Sequence, residues 1–425
     1  MAKEKATTRN PWSFIPTLYF AEGTPYILIN AVSVILYKKM GIDNATIAAW
    51  TSLLYLPWVI KMFWGPIIDT NSTKRNWIIY TQLAMTLCLA SVAFSLQFSL
   101  FFYLSLGAFF IGAFVSATHD IAADGFYLLA LDKDNQAGFV GIRSTFYRLS
   151  MIFGQGFLVW LAGYILSRTV DPSNEENIVS SWTISFGLAA AIYIVLFIYH
   201  KFMLPYPAID APAPKTKNAF ADVFSSYFKQ EKIGIILAFI FLYRFGEAFL
   251  IKIASPFFLD KPEVGGLGLT LEQVGIVYGT IGIGCLLAGG IVGGLVIKKY
   301  GLKKCLWPMA IIIQLPMMVY TAMTFIRPSG YFASPFVAFE QFSYGFGFTA
   351  YMVFLMYLAN KSQYKTAHYA ISTGLMAAGM MLPGFVAGIL QQVLGYQMFF
   401  ITTVLLGIPG IITLFFIPLE EDEKK

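Results

Sequence analysis

Charged residues are scarce in this sequence. They make up 12% of its 425 residues, about half the share found in ordinary soluble domains. A soluble chain must present a largely polar skin to water. A composition that is 57% hydrophobic, with mean hydropathy +0.67, therefore excludes a water-soluble enzyme, a disordered tail and a nucleic-acid binder. Cysteine is nearly absent too. Cys88, Cys285 and Cys305 each sit in or beside an apolar run, with no CxxC spacing and no neighbouring histidine. They read as small apolar fillers, and neither a disulfide nor a metal site is expected. No GxxxxGK[ST] phosphate loop occurs, which argues against direct drive by ATP. Nothing at the start reads as a cleaved signal: Met1–Asn10 is polar and basic, and the apolar segment behind it runs past Tyr26 without a small-residue cleavage site.

What is abundant is long apolar runs. A bilayer core of about 30 Å needs roughly 20 apolar residues as helix, and twelve such runs follow one another. The first six lie near Trp12–Tyr37, Asn44–Ile68, Trp77–Phe98, Phe101–Leu131, Phe139–Ser167 and Ser180–Leu204. The second six lie near Ile233–Leu259, Leu271–Ile297, Leu302–Phe325, Phe332–Ala359, Ala367–Leu394 and Tyr396–Ile417. The runs are too long and too continuous for membrane strands. The expectation is an all-α integral membrane protein with twelve transmembrane helices: a six-helix bundle over residues 1–204, a linker over 205–232, and a second six-helix bundle over 233–425. The Ala-Pro stretch of the linker is stiff, and Asn218 or Asp222 can cap a short amphipathic helix on the membrane surface. Of the 29 Lys and Arg, twenty fall on the side holding both termini and the linker, five on the opposite side and four inside spans. Both termini should then be cytoplasmic, because basic residues mark that side.

The two halves repeat. The loop after span 2 runs from Gly65 through Asp69 to Lys74 and Arg75, and the loop after span 8 runs from Gly294 through Lys299 to Lys303 and Lys304, offset by 229 residues. A parallel repeat of six spans with pseudo-two-fold symmetry is the layout of major facilitator superfamily transporters, and both loops resemble that superfamily's GxxxD(R/K)xGxRR signature. The first keeps Asp69 but has Thr70 and Ser72 at the basic and glycine positions. The second keeps Lys299 and Gly301 but has Lys298 in place of the acid. An acid at a helix end can cap a neighbouring helix N-terminus, or pair with a loop arginine, in one conformation only. Asp69, Lys74, Arg75 and Lys299 are thus read as gating residues, against the plainer reading that the basic ones merely obey the sidedness rule.

Ionisable residues inside spans include Glu22, Lys61, Asp120, Asp124, Arg148, Arg244, Glu247 and Glu340, and Lys252 is the fourth basic residue counted there. Each central charge costs about 2.5 to 3.5 kcal/mol on insertion scales. So many persist only if paired or wetted, and a shared central cavity is expected. Asp120 and Asp124 are one turn apart on one face of span 4, with His119 beside them. Glu22 and Glu247 sit at similar depths in spans 1 and 7, and Asp120 and Glu340 recur in spans 4 and 10. Two acids one turn apart repel, so one of them can hold and exchange a proton near neutral pH. Asp120, Asp124, Glu22, Glu247 and Glu340 are the expected proton-coupling set. Arg148, Arg244, Lys61 and His119 are the expected substrate-binding set, the arginines because their forks match carboxylate or phosphate. Structural roles compete: an ion pair for Arg244 with Glu247, snorkelling for Lys61, and packing or proton relay for His119. The GxxxG pairs Gly289/Gly293 and Gly384/Gly388 allow close helix contact, and Pro25, Pro57, Pro256, Pro316 and Pro383 can kink their spans.

Several segments together resemble the AmpG muropeptide permease family, to which acetyl-CoA transporters are related. They are Phe20-Ala-Glu-Gly-Thr-Pro25, Leu56-Pro-Trp-Val-Ile-Lys61-Met-Phe-Trp-Gly-Pro66-Ile-Ile-Asp69, Ala117-Thr-His-Asp120-Ile-Ala-Ala-Asp124, Leu242-Tyr-Arg244-Phe-Gly-Glu247-Ala-Phe and Ala338-Phe-Glu340-Gln-Phe. The resemblance covers both halves and places Asp120, Asp124 and Lys61 at motif positions. It departs at His119, where the family's proteobacterial members have Gln, and in lacking two extra spans that those members often carry. What it implies is proton-coupled import of GlcNAc–anhydro-MurNAc sugars, with or without peptide, across an inner membrane. The expected partners are that small-molecule cargo, protons and the lipid bilayer; the expected state is a monomer, with no cofactor and no nucleic acid. Transport of another anionic metabolite such as acetyl-CoA, and a membrane-embedded muropeptide sensor, stay open beside it. A membrane acyl or glycosyl transferase would need its catalytic set near one surface, whereas the His119-Asp120 neighbour pair lies mid-span.

Overall fold

The computed structural model describes residues 9–212, 219–362 and 364–417, and among these every regular element is helical. Ten helices are long and apolar enough to cross a membrane. Nine match single predicted spans: Pro11–Lys39 (span 1), Lys74–Ser95 (3), Phe101–Ala130 (4), Gly141–Ser167 (5), Glu175–Met203 (6), Ile233–Leu259 (7), Leu271–Tyr300 (8), Leu302–Ile326 (9) and Gly330–Asn360 (10). At about 1.5 Å per residue each is long enough for a hydrocarbon core of about 30 Å.

The other three predicted spans differ from expectation in form. Span 2 is broken into Asn44–Leu53, Leu56–Ile60, Lys61–Phe63 and Gly65–Asn71, with proline at the start of two of the pieces. Proline has no N–H to donate and restricts the residue before it, which explains the breaks. Spans 11 and 12 run on as one helical stretch, Ala367–Thr413. Its 47 residues would reach about 70 Å if straight, more than twice a hydrocarbon core. Gly395 interrupts it at φ 68° and ψ 168°, a backbone conformation open to glycine alone, and divides it where the sequence places the boundary.

Local chemistry sets the helix starts. Asp43, Thr73, Asp132, Asn174 and Thr270 each accept a backbone N–H in the first turn of the helix that follows, and Thr270 with Gln273 completes a capping box. Apolar side chains such as Leu87, Phe94, Ile111, Val195, Ile291 and Leu295 remain exposed. A soluble protein would have to cover them, but lipid accommodates them.

The chain forms two compact units, Met1–Leu36 with Phe63–Lys215 and Tyr37–Met62 with Thr216–Lys425. In the first, span 1 packs on spans 4 and 5, and span 3 packs on spans 4 and 6. Gly23 and Gly154 let spans 1 and 5 approach: an added Cβ would come within 2.6 Å of the Tyr147 carbonyl at Gly23 and 2.4 Å of Ile27 at Gly154. Both spans loosen into a π-helical turn there, Leu28–Val32 and Ile152–Leu158. Such turns often mark functional positions in long helices.

In the second unit the expected GxxxG contacts are present. A Cβ on Gly289 would meet the Phe342 carbonyl of span 10 at 2.1 Å, and one on Gly388 would meet the Asn44 carbonyl at 2.1 Å. The glycines of span 11 thus hold Asn44–Leu53 in backbone contact. The linker helix spans Ala219–Phe228. It is anchored through buried Tyr227, whose hydroxyl lies 2.9 Å from Ser372 Oγ, and through Ser226, 2.8 Å from His368. Asn218 and the Asp222 side chain lie outside the described residues.

Candidate functional site

The first unit brings three of the expected acids together. Carboxylate oxygens of Glu22, Asp120 and Asp124 all lie within 4.8 Å of one another. The i,i+4 spacing puts both aspartates on the side of span 4 that meets span 1, where Glu22 is buried. A Glu22 carboxylate oxygen lies within 4.8 Å of one from Asp120, while Glu22 Oε2 meets no hydrogen-bond partner among the described residues. Asp124 has different company. Arg143 of span 5 lies 3.1 Å from its Oδ1, and the Tyr19 hydroxyl donates to the same oxygen at 3.1 Å. Arg143 also donates to the Tyr19 hydroxyl at 2.9 Å, and its guanidinium lies 5.1 and 5.0 Å from the centroids of Tyr19 and Tyr127.

This arrangement is open on one side. The Asp124 side chain is 51% exposed and that of Arg143 33%. A charged pair at that exposure within a span needs water, since hydrocarbon would not solvate it. Arg143 was not legible as a site residue, because it falls where sequence counting assigns basic residues to the cytoplasmic loops. Only the rotation of span 5 against span 1 turns it inward.

His119 faces the other way. It is buried and bonded to Gln82 (3.1 Å), which reaches His200 (3.0 Å), which in turn meets Thr17 (2.9 Å). It belongs to a polar chain tying spans 1, 3, 4 and 6 together. Arg148 is half-buried on span 5, with no carboxylate paired to it among the described residues. Lys61 is half-buried in the short turn that interrupts span 2.

In the second unit, Arg244 forks onto Glu247 with contacts of 2.9 and 2.7 Å and donates to the Tyr344 hydroxyl at 2.7 Å. Phe348 lies over the guanidinium at 4.6 Å. The two side chains are only 9% and 5% exposed. Glu340 is buried and accepts from Gln341 at 3.1 Å.

The expected gating loops are read only in part. The Asp69 side chain lies outside the described residues. The acid that does meet the Lys74–Arg75 turn is Asp210, from the start of the linker. Its two carboxylate oxygens accept the Lys74 and Arg75 backbone N–H groups at 2.7 and 3.0 Å. That places an anion at the N-terminus of span 3, where the helix dipole favours it. Arg75 is buried, donates to the Lys201 carbonyl at 2.6 Å and stacks on Tyr206 at 3.7 Å. The Lys74 stem runs against Gly125, next to Asp124. Lys299 is exposed, 5.1 Å from the Tyr300 ring.

Outside the spans, Asp43 caps Asn44–Leu53 and accepts from Gln392 at 2.9 Å. Partial burial pushes its carboxyl up, but hydrogen bonds from Thr46 and Gln392 outweigh this and hold it below the usual aspartate range.

Residues 17–382 match the model of the Major Facilitator Superfamily. The chain is 27% identical to the anhydromuropeptide permease of Escherichia coli K12 over 403 residues, covering 93% of this chain and 77% of that protein. It is 24% identical to a protein named putative transporter AmpG 4 from Rickettsia conorii, covering 94% of each. Among solved structures it is similar to a POT family transporter in complex with 5-aminolevulinic acid (TM-score 0.71, 12% identity, 95% of each chain). A D-xylose-proton symporter gives TM-score 0.68 at 14% identity, over 95% of this chain and 96% of that one. The fold, the matched residues and these relatives, which agree with the AmpG resemblance of the motifs, establish that the chain is a multi-pass membrane protein of the Major Facilitator Superfamily.

Proposed function

We propose that the protein imports anhydromuropeptides, GlcNAc–anhydro-MurNAc with or without peptide, across the inner membrane by alternating access and proton symport, as a monomer with cytoplasmic termini. The cargo assignment rests on the two AmpG-type relatives and on the resemblance of this chain's motif segments to that family. The observation that carries the proton assignment is the meeting of three carboxyl groups, Glu22, Asp120 and Asp124, beside Arg143.

Carboxyl groups this close repel when all are ionised, so the transported proton is assigned to the Glu22–Asp120 pair. Asp124, paired with Arg143 and Tyr19, stays ionised. Releasing the proton sets two like charges within 4.8 Å. At an effective dielectric of about 20 that repulsion is roughly 3.5 kcal/mol, enough to shift a two-state equilibrium by more than a hundredfold. The exposed flank of Asp124 and Arg143 gives the proton a water-side exit. The acid and arginine of span 7, Glu247 and Arg244, and the acid of span 10, Glu340, support the repeat, and Arg148 is available to an anionic group of the cargo. Pairing of Asp210 with the Lys74–Arg75 turn supports a gating role for that loop.

Uptake of labelled anhydromuropeptide into proteoliposomes tests the reading. Accumulation driven by an acid-outside gradient and collapsed by a protonophore supports it. A sodium requirement would reassign the cluster to a cation. Uptake of acetyl-CoA in place of muropeptide would reassign the cargo, and binding without uptake would make the protein a sensor.

A further inference from the structure

Lys252 of span 7 is a buried basic side chain with no acidic partner among the described residues. It is 2% exposed. Its Nζ donates to Thr51 Oγ1 at 3.2 Å and lies 4.8 Å from the Tyr55 ring centroid. No carboxylate pairs with it among the described residues, whereas Arg143 and Arg244 each hold one. A second orphan lies alongside. Ser52 Oγ is fully buried and meets no hydrogen-bond partner. Both flank Gly384 of span 11, where an added Cβ would come 2.5 Å from Ser52 Oγ and 3.2 Å from Lys252 Cγ. A basic amine and a hydroxyl thus flank the same glycine. A buried basic group is stabilised by a compensating partner, and among the described residues its contacts are the Thr51 hydroxyl and the Tyr55 ring face.

Above this site lies a polar layer. Lys38 pairs with Asp260 at 2.7 Å, and Asn44 donates to Gln391 at 2.7 Å and to the Tyr396 hydroxyl at 3.0 Å. Asp260 ends span 7 eight residues beyond Lys252, about 12 Å along the helix. This layer lies toward the span end that the distribution of basic residues assigns to the side opposite the basic loops. We propose that Lys252, with Thr51 and Ser52, is the entry subsite for an anionic group of the cargo, a carboxylate or phosphate, reached when Asn44–Tyr55 parts from spans 7 and 11. On closure the Thr51 hydroxyl and the Tyr55 face take over the ammonium as the anion moves on. This subsite rests on the transport reading and adds an anion contact to it.

The test compares a peptide-bearing muropeptide with its carboxamide analogue in proteoliposomes. Lys252→Gln should raise KM for the carboxylate cargo by about tenfold or more and leave the carboxamide unchanged. Lys252→Arg should restore the preference, and accumulation at saturating cargo should persist. Equal effects on both analogues, or no effect, overturn the subsite while leaving the transport function standing. A wild-type protein that takes up no muropeptide overturns the transport reading, and the subsite is then judged by thermal shift with acetyl-CoA. A stabilisation lost in Lys252→Gln but kept in Lys252→Arg upholds it. A stabilisation kept in both variants, or absent from the wild type, overturns it.

Discussion

The two halves of the repeat use the same ingredients to opposite ends. Each carries an acid midway along its first span, an acid on its fourth span and an arginine nearby. In the first unit the acids outnumber the arginine, and Asp124 and Arg143 stand half-open. In the second, Arg244 and Glu247 satisfy each other bidentately in a closed setting, sealed by Tyr344 and Phe348. A pair that is matched, buried and fully bonded has little reason to change protonation. A cluster of three neighbouring carboxyl groups with access to water does. The comparison teaches that an intramembrane acid is judged by its partners, since depth and spacing are alike in the two halves.

The comparison breaks first at Asp120. With one proton per cargo, a gradient of one pH unit drives about tenfold accumulation. Asp120→Asn should reduce this to equal concentrations while cargo counterflow continues. An Asp120→Asn protein that still accumulates cargo would place the proton elsewhere. Next comes the dry pair: Glu247→Gln leaves a buried guanidinium uncompensated and should cost about 3 to 5 kcal/mol of stability. Arg244→Met with Glu247→Leu should recover most of it, read as the melting temperature in detergent. Near-equal melting temperatures for the single and double variants would show the second pair to be as wet as the first.

Arg143→Ala should slow uptake severalfold without a comparable loss of stability, because its partner Asp124 is solvated, and pairs of that exposure contribute little to folding. Addition of Asp124→Asn should relieve part of the defect. The smallest effect is expected at Asp43, outside both clusters. Asp43→Ala should lose about 1 kcal/mol at neutral pH. The Asp43 carboxyl is held below its usual range in the folded chain. Its contribution is therefore present above the unfolded aspartate value of about 4 and fades as pH falls through the folded one. Wild type and variant should converge in acid.

Much of this was legible in the sequence. Nine of the twelve spans read from apolar length reappear as single helices among the described residues, and the boundary at Tyr396 survives even though the helix runs on, because Gly395 interrupts it. Span 2 was legible as an apolar run but not as a broken one, although Pro57 and Pro66 stood in it. Glu22, Asp120 and Asp124 stood out because lipid does not tolerate them unpaired. What could not be read is which neighbour each would meet. That depends on helix rotation, which composition does not encode: Arg143 turns inward toward Asp124, His119 turns away into the Gln82–His200 chain, and Asp210 crosses from the linker to the Lys74–Arg75 turn. Lys252 was visible as a basic residue within a span, but that no acid among the described residues meets it depends on how span 7 packs against Asn44–Leu53 and span 11.

The most direct measurement follows the proton itself. In lightly buffered proteoliposomes carrying a pH dye outside, adding anhydromuropeptide to the wild type should alkalinise the medium as cargo and protons enter together. Glu22→Gln should exchange labelled cargo across the membrane with no such signal. Alkalinisation that persists in Glu22→Gln, or wild-type uptake with no pH change, would contradict the account.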